Sequence, residues 1–241
     1  MGFRSLILTV LAITLLGTLL FGQTTIHGDD SWNWHLIDES GETHKGLLNN
    51  GLKHGIWVVT SVEGKLLRIE NYLSGEKNGQ WLEFHPNGSP GALAFYENGR
   101  MNGTYMAYGT NAELLLKASY LNGKLNGWRC VYFQSGIIQE CTEYVDNQRD
   151  GLSKWYTETA EPMAHYRYKN GILDGLQLGF YPDGSIKAQQ NFVNNQAEGE
   201  FVEYYPNGCV KRKGLYRAGN KYGHWIEYTP EGYVLHEENF D

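Results

Sequence analysis

Apolar and polar residues alternate along most of this chain in short stretches, a pattern typical of β-strands. From about Asn50 to Asp241 the pattern returns every 24 residues, which gives eight copies without a gap. A period of this length predicts a repeat array in which each unit packs on its neighbours. One column of the repeat is glycine in every copy: Gly55, Gly79, Gly103, Gly127, Gly151, Gly175, Gly199 and Gly223.

Two further columns predict the turns of a β-hairpin. Four residues before the recurrent glycine, six copies have glycine and two have Asn147 or Asn195, and both residue types tolerate a positive φ. Nine residues after it, segments such as Pro206-Asn207-Gly208 predict a type I turn closed by a left-handed residue, a common three-residue hairpin loop. Each copy is therefore predicted to be one hairpin, and we assign the recurrent glycines to its turns.

Even-numbered positions of the predicted strands form aromatic columns. One column is aromatic in every copy: Tyr72, Tyr96, Tyr120, Tyr144, Tyr168, Phe192, Tyr216 and Phe240. A second is aromatic in all copies except the first, where it is Thr60: Phe84, Tyr108, Tyr132, Tyr156, Phe180, Tyr204 and Tyr228. Since side chains alternate between the two faces of a strand, we predict that both columns lie on one face of a single sheet and stack as ladders.

Odd-numbered positions carry a third aromatic column, two residues after the recurrent glycine: Trp57, Trp81, Tyr105, Phe201 and Trp225. We predict that this candidate binding strip lies on the opposite face and is partly exposed. Its residues either pack over that face or form a surface that binds a peptide, a glycan or a partner protein.

The N-terminal segment differs from the array. Arg4 precedes the apolar run Leu6 to Phe21, which at about 1.5 Å per residue is shorter than a bilayer core of about 30 Å. Residues 1–22 are predicted to be a signal peptide or an N-terminal membrane anchor, with a buried helix as a further alternative. Either of the first two places the remainder outside the cytoplasm, in the periplasm, in the cell envelope or as a secreted protein. Residues 23–49 are predicted to be a linker and a degenerate capping hairpin, and residues 50–241 the eight repeats.

Composition and charge narrow the function. The 30 glycines and 17 tyrosines are explained by the turns and ladders, and the net charge of -7 opposes binding to nucleic acid or to anionic lipid.

A three-residue loop would place Cys130 opposite Glu140 and Cys141 opposite Arg129, which puts the two thiols on opposite faces. We therefore expect free thiols, with a disulfide as the alternative.

No motif in the sequence predicts catalysis, a metal site or a cofactor. The eight histidines lack zinc-binding spacing, and the many Gly-x-x-x-Gly matches belong to the repeat and not to a nucleotide-binding loop. The sequons at Asn87 and Asn102 follow from the Asn-Gly turn chemistry. Glu83, Glu203 and Glu227 share one column, and a ladder of one group suits binding better than paired acid-base catalysis.

The segment Tyr120-Leu121-Asn122-Gly123-Lys124-Leu125-Asn126-Gly127-Trp128 resembles the MORN repeat in its bacterial variant form. Tyr72 to Trp81 and the turn at Tyr205 fit the same pattern, and the resemblance covers about four fifths of the chain. It implies an all-β, elongated, single-layer antiparallel hairpin array that acts as a scaffold, a dimerisation module or a lipid-associated module. Many bacterial members bear a toxin-antitoxin antitoxin label.

Together these features predict a non-enzymatic, extracytoplasmic repeat scaffold that binds a protein partner or itself. It is expected to contact the membrane only through its N-terminal segment and to need no cofactor. The alternatives are an antitoxin-like protein that neutralises a cognate toxin, and an envelope protein that binds or acts on glycans.

Overall fold

The computed structural model describes residues 32–39 and 41–241, with side chains from 41 onward, and in this part the chain forms one open sheet of 21 strands without a helix. The predicted signal peptide or anchor, and residues 23–31 of the predicted linker and cap, lie outside the described residues. No helix long and apolar enough to cross a membrane occurs in the described part of the chain. The strands are β1 Trp32–Glu39, β2 Glu42–Asn49, β3 Leu52–Ser61, β4 Leu66–Leu73, β5 Glu76–Lys77, β6 Gly79–Phe84, β7 Pro90–Glu97, β8 Arg100–Met101, β9 Gly103–Tyr108, β10 Leu114–Leu121, β11 Lys124–Tyr132, β12 Ile138–Val145, β13 Gln148–Tyr156, β14 Pro162–Lys169, β15 Ile172–Leu173, β16 Gly175–Phe180, β17 Ile186–Val193, β18 Gln196–Tyr204, β19 Val210–Arg217, β20 Asn220–Tyr228 and β21 Val234–Phe240.

The strands pair antiparallel in chain order, so the fold is the predicted single-layer array of hairpins. The first hairpin joins β1 to β2, with Trp32 opposite Asn49, and the next eight follow the 24-residue period. The two-residue strands β5, β8 and β15 are the starts of β6, β9 and β16. Contacts between elements are dominated by neighbouring strands, so each repeat is stabilised by the repeats beside it.

The first turn of each repeat has two consecutive residues with positive φ, such as Asn122 at 52° and Gly123 at 82°. This is the type I′ geometry, which matches the twist of the flanking strands, and it confirms the predicted left-handed column in all eight copies. Neighbouring turns are also joined, because the second turn residue donates its N–H to a carbonyl of the preceding repeat, as Gly123 does to Met101 at 2.7 Å.

The second turn also has the predicted geometry. Gly88 has a φ of 82° and donates its N–H to the His85 carbonyl at 2.8 Å, which is a type I turn followed by a left-handed residue. Beyond each of these turns one extra residue bulges out of the returning strand. In the fourth repeat Tyr132 pairs with Ile138, whereas Val131 pairs with Glu140. The extra residue shifts the register by one in every repeat.

The recurrent glycines, which we assigned to turns, instead lie within the first strand of each repeat. All eight have positive φ, between 64° and 112°. Across the next strand pair each faces a member of the all-aromatic column, as Gly79 faces Tyr96. Each recurrent glycine also lies in a bulge against the preceding strand. Around Gly151, for example, Thr142 pairs with Ser153 but Tyr144 pairs with Arg149. Glycine is favoured here because the backbone has a positive φ, which residues with a Cβ rarely adopt.

Candidate functional site

The register defines two faces that differ in chemistry. The tryptophan face carries the predicted strip together with the all-aromatic column, because Gly79, Trp81 and Tyr96 fall on the same side. The cysteine face carries Cys130 and Cys141 and the second aromatic column. Our prediction that strip and ladder lie on opposite faces is therefore wrong. The bulged residue after each second turn reverses the alternation, so even positions of the first strand and even positions of the second strand face opposite ways.

The strip and the ladder pack into one aromatic layer. Trp57, Trp81 and Trp225 are buried, with exposures of 0%, 8% and 4%, so these three side chains are not the partly exposed surface that we predicted. The Trp225 ring centre lies 5.6 Å from Phe201 and 5.1 Å from Tyr216. Phe201 and Tyr105 are half-buried. Burial raises the pKa of the Tyr105 hydroxyl, and the Glu83 carboxylate adds to this effect.

Small residues opposite the tryptophans make this packing possible, and the sequence reasoning missed them. A Cβ atom at Gly46 would overlap the Trp57 indole, and one at Gly214 would overlap the Trp225 indole. Ala94 is paired directly with Trp81. Each of the three tryptophans has a small residue on one side only, because the same column also holds Glu70, paired with Trp57, and Glu238, paired with Trp225.

Lysine side chains cover the tryptophan rings from above. The Lys77 Nζ lies 3.6 Å from the centre of the Trp81 ring. Corresponding distances are 4.8 Å for Lys53 over Trp57 and 4.6 Å for Lys221 over Trp225. The three repeats with tryptophan in the strip are also the three with lysine four residues earlier. These contacts stabilise the layer by cation–π attraction and exclude water from the indoles.

The middle repeats replace this layer with polar groups. The strip column continues there as Arg129, Ser153 and Gln177. The Ser153 hydroxyl lies 2.5 Å from that of Thr142 and accepts from the Trp155 indole N–H at 3.0 Å. Thr142 also donates to Glu140 at 2.7 Å. This buried network has hydrogen-bond partners within the chain, which is typical of a structural network.

Beside this network lies a groove of about 430 Å³ on the tryptophan face. Its floor is a row of three small residues, Ala164, Gly179 and Ala188, that are paired across neighbouring strands. Tyr166 and Gln177 line the groove, as does Gln190. Gln177 is held in place, because its amide accepts from the Arg167 N–H at 3.0 Å and donates to the Arg167 carbonyl at 3.2 Å.

On the other face Cys130 and Cys141 form a disulfide, with Cα atoms 4.1 Å apart. Our expectation of free thiols on opposite faces is wrong for the reason given above: the extra residue, Gln139, places the two cysteines directly opposite each other. Cys209 is a free cysteine. The same face carries the apolar core of Ile69, Leu82 and Leu93.

The cysteine face also exposes a long apolar band near the first turns. We define the band as nine side chains that are 39% to 51% exposed: Leu52, Ile56, Leu73, Leu121, Trp128, Val145, Leu176, Val193 and Leu215. They extend from β3 to β19, a span of about 60 Å at roughly 4.8 Å per strand. Glu97 and Lys169 share the column of Leu73 and are exposed, so charged side chains interrupt the band. Exposed apolar patches of this kind are typical of an interaction site.

The other residues singled out in the sequence are engaged locally. Glu203 is paired with Lys211 at 3.0 Å and with Arg212 at 2.9 Å, and Arg212 stands between Glu203 and Glu227 in the sheet. The Asn87 amide donates to the Thr110 carbonyl at 2.7 Å. Among residues 41–241, no group of three or more His, Cys, Asp or Glu side chains is placed to share a metal ion.

The comparison with known proteins agrees with this architecture. Two segments, 173–194 and 197–218, match the model of the MORN repeat variant, and their starts are 24 residues apart (197 minus 173). No curated protein matches the chain. The matched segments coincide with repeats that share their turns, bulges and strand pairing with the other six. Residues 173–218 are therefore two MORN repeats of the variant form, within an array of eight hairpins that share one architecture.

Proposed function

We propose that the protein is a non-enzymatic, extracytoplasmic scaffold that binds another protein, or a second copy of itself, through the apolar band. MORN repeats are generally a non-enzymatic fold, and the band is the observation that carries the proposal. Its side chains project from a regular backbone and are not needed for the core of Ile69, Leu82 and Leu93.

The band is large enough to support binding only if most of it is covered. Fully burying an aliphatic side chain stabilises by about 1.5–3 kcal/mol. Nine half-exposed side chains therefore offer on the order of 10 kcal/mol, while association itself costs about 4–15 kcal/mol. A partner that touched two or three of these residues would bind weakly. We therefore expect an elongated partner that follows the sheet across several repeats.

The location outside the cytoplasm is supported by two features. Arg4 followed by the apolar run Leu6 to Phe21 has the character of an export segment. Cys130 and Cys141 form a disulfide, and structural disulfides persist in oxidising compartments.

The test uses the full chain in its own envelope fraction, with a photo-crosslinking residue at Leu121. We expect a discrete crosslinked product that is lost when Val145 and Leu73 are changed to Lys, since both lie in the band and are half-exposed. Val62→Lys is the matched control, because Val62 is 72% exposed but lies outside the band. A product of the protein with itself alone would identify self-association. Crosslinks that are unchanged in the band variant would contradict the proposal.

A further inference from the structure

The groove on the tryptophan face lies where one row of side chains becomes unusually small. The row runs across the sheet through paired residues of neighbouring strands, and Gly179 in it follows the strip position Gln177 by two residues. Its members are Trp155, Ala164, Gly179, Ala188 and Glu203. In the preceding repeat the position equivalent to Gly179 is Trp155. The groove is therefore the place where the chain omits an indole that it supplies one repeat earlier.

The space above Gly179 is open. A Cβ atom at Gly179 would have no atom within 4 Å, and its φ lies outside the left-handed region, so the backbone does not require glycine. The groove volume of about 430 Å³ falls in the range of ligand sites. It has room for an aromatic side chain and part of the segment that carries it.

The walls of the groove add polar groups to this apolar floor. Gln190 is 9% exposed, and its amide nitrogen donates to the Asn191 carbonyl at 2.8 Å. Its Oε1 atom has no hydrogen-bond partner among the described residues, which is costly for a buried polar atom. A donor such as an indole N–H would satisfy it after a small shift of the side chain.

The rim of the groove carries one lysine, Lys187, and one glutamate, Glu161. Lys187 lines the groove and is exposed. It makes no ion pair with another residue in the described part of the chain, and its Nζ lies 5.8 Å from the centre of the Tyr181 ring. Glu161, also at the rim, lies within hydrogen-bond reach of the Thr157 hydroxyl of its own turn. The charge complement of Lys187 is a carboxylate.

We propose that this groove receives an aromatic side chain, preferably tryptophan, of the protein partner, with an acidic residue next to it that pairs with Lys187. The inference rests on the proposed scaffold function and adds a site to it. The partner's ring occupies in the sixth repeat the place that Trp155 occupies in the fifth. The groove thus fixes the register of an elongated partner, whereas the apolar band supplies contact area.

The test is a ¹⁹F NMR titration of the full chain with the peptide acetyl-Gly-(5-fluoro-Trp)-Asp-Gly-amide. We expect a saturable shift of the fluorine signal with a Kd of about 1 mM, as befits a single anchoring side chain. Gly179→Leu fills the groove and should remove the shift. Ala107→Leu and Glu227→Leu are matched controls, because both positions share the column of Gly179, and either one that remains folded by circular dichroism should keep binding.

The charge requirement is tested separately. Lys187→Glu should weaken the Asp peptide at least threefold and strengthen a Lys peptide of the same length. Equal binding of the two peptides by the wild type would overturn the role of Lys187. No shift with the wild type, or an unchanged shift with Gly179→Leu, would overturn the groove proposal while crosslinking through the band could still succeed. Saturable binding of an N-acetylglucosamine trisaccharide instead of the peptide would overturn it in favour of a glycan site.

Discussion

The contact between Gly214 and Trp225 offers a direct measurement of how the aromatic layer is held together. Trp225 is 4% exposed, and its indole N–H donates to the Leu215 carbonyl at 3.1 Å. Its truncation to alanine should cost about 3–5 kcal/mol, which is the usual range for a buried tryptophan. A Cβ at Gly214 would overlap the indole carbons, so Gly214→Ala should cost about 1–3 kcal/mol through overpacking.

The two changes should not be additive. Once the indole is removed, the clash of Gly214→Ala disappears, and alanine in a strand is favoured over glycine by about 0.5–1 kcal/mol. The double variant should therefore be no less stable than Trp225→Ala alone. We expect a coupling of about 2 kcal/mol or more, whereas independent sites add to within about 0.5 kcal/mol.

The measurement is hydrogen exchange by mass spectrometry on the wild type, both single variants and the double variant, supported by urea unfolding. Exchange is the primary assay because a repeat array loses structure locally. Protection should fall in the last two repeats and remain in the first three. Additive costs, or a loss spread evenly over the sheet, would refute the packing argument. Gly46 of the first hairpin and Trp57 of the first repeat form the same contact and provide an independent cycle.

Three further outcomes are expected. Reduction should raise the intact mass by about 2 Da, and replacing both Cys130 and Cys141 by Ser should cost about 2–3 kcal/mol in urea unfolding, since the bridge closes a short loop. Burial lowers the pKa of His165, and Lys154 lowers it further. The free energy of unfolding should therefore be highest above the unfolded pKa of about 6.5 and should fall as the pH drops below that value. The urea midpoints at pH 7.5 and 5.5 should differ less in His165→Phe than in the wild type. Arg68→Met should cost about 3–5 kcal/mol in thermal or urea unfolding, because Glu70, 2% exposed, loses the guanidinium at 2.9 Å, whereas a cost below about 1 kcal/mol would contradict that account.

The sequence was sufficient to predict the hairpins and their turns. The residues at these turns, such as Gly123 and Gly88, are types selected by backbone conformation alone. The period of 24 residues therefore predicts the number, length and order of the hairpins in the array. Turn conformation and strand length depend on neighbouring residues in the chain, so they can be predicted from the sequence.

The faces could not be predicted, because one bulged residue per repeat decides them. That position is Gly91 in the second repeat, Gln139 in the fourth, Met163 in the fifth and Lys187 in the sixth, so no residue type marks it. One extra residue reverses the side on which every subsequent side chain lies. Because the prediction lacked this extra residue, it placed the strip and the ladder on opposite faces, and likewise the two cysteines. The groove depends on this register as well, which is why no motif indicated it.

Strand pairing in strict chain order has a mechanical consequence. A force that draws the first and last strands apart loads one strand pair at a time, so the sheet opens like a zipper at a low and nearly constant force. Each repeat then releases 24 residues, or about 80 Å of chain at roughly 3.4 Å per residue. The bridge between Cys130 and Cys141, 11 residues apart, withholds about 30 Å of that length in one repeat. Under such a force the repeat that contains the bridge would lengthen less than the other repeats.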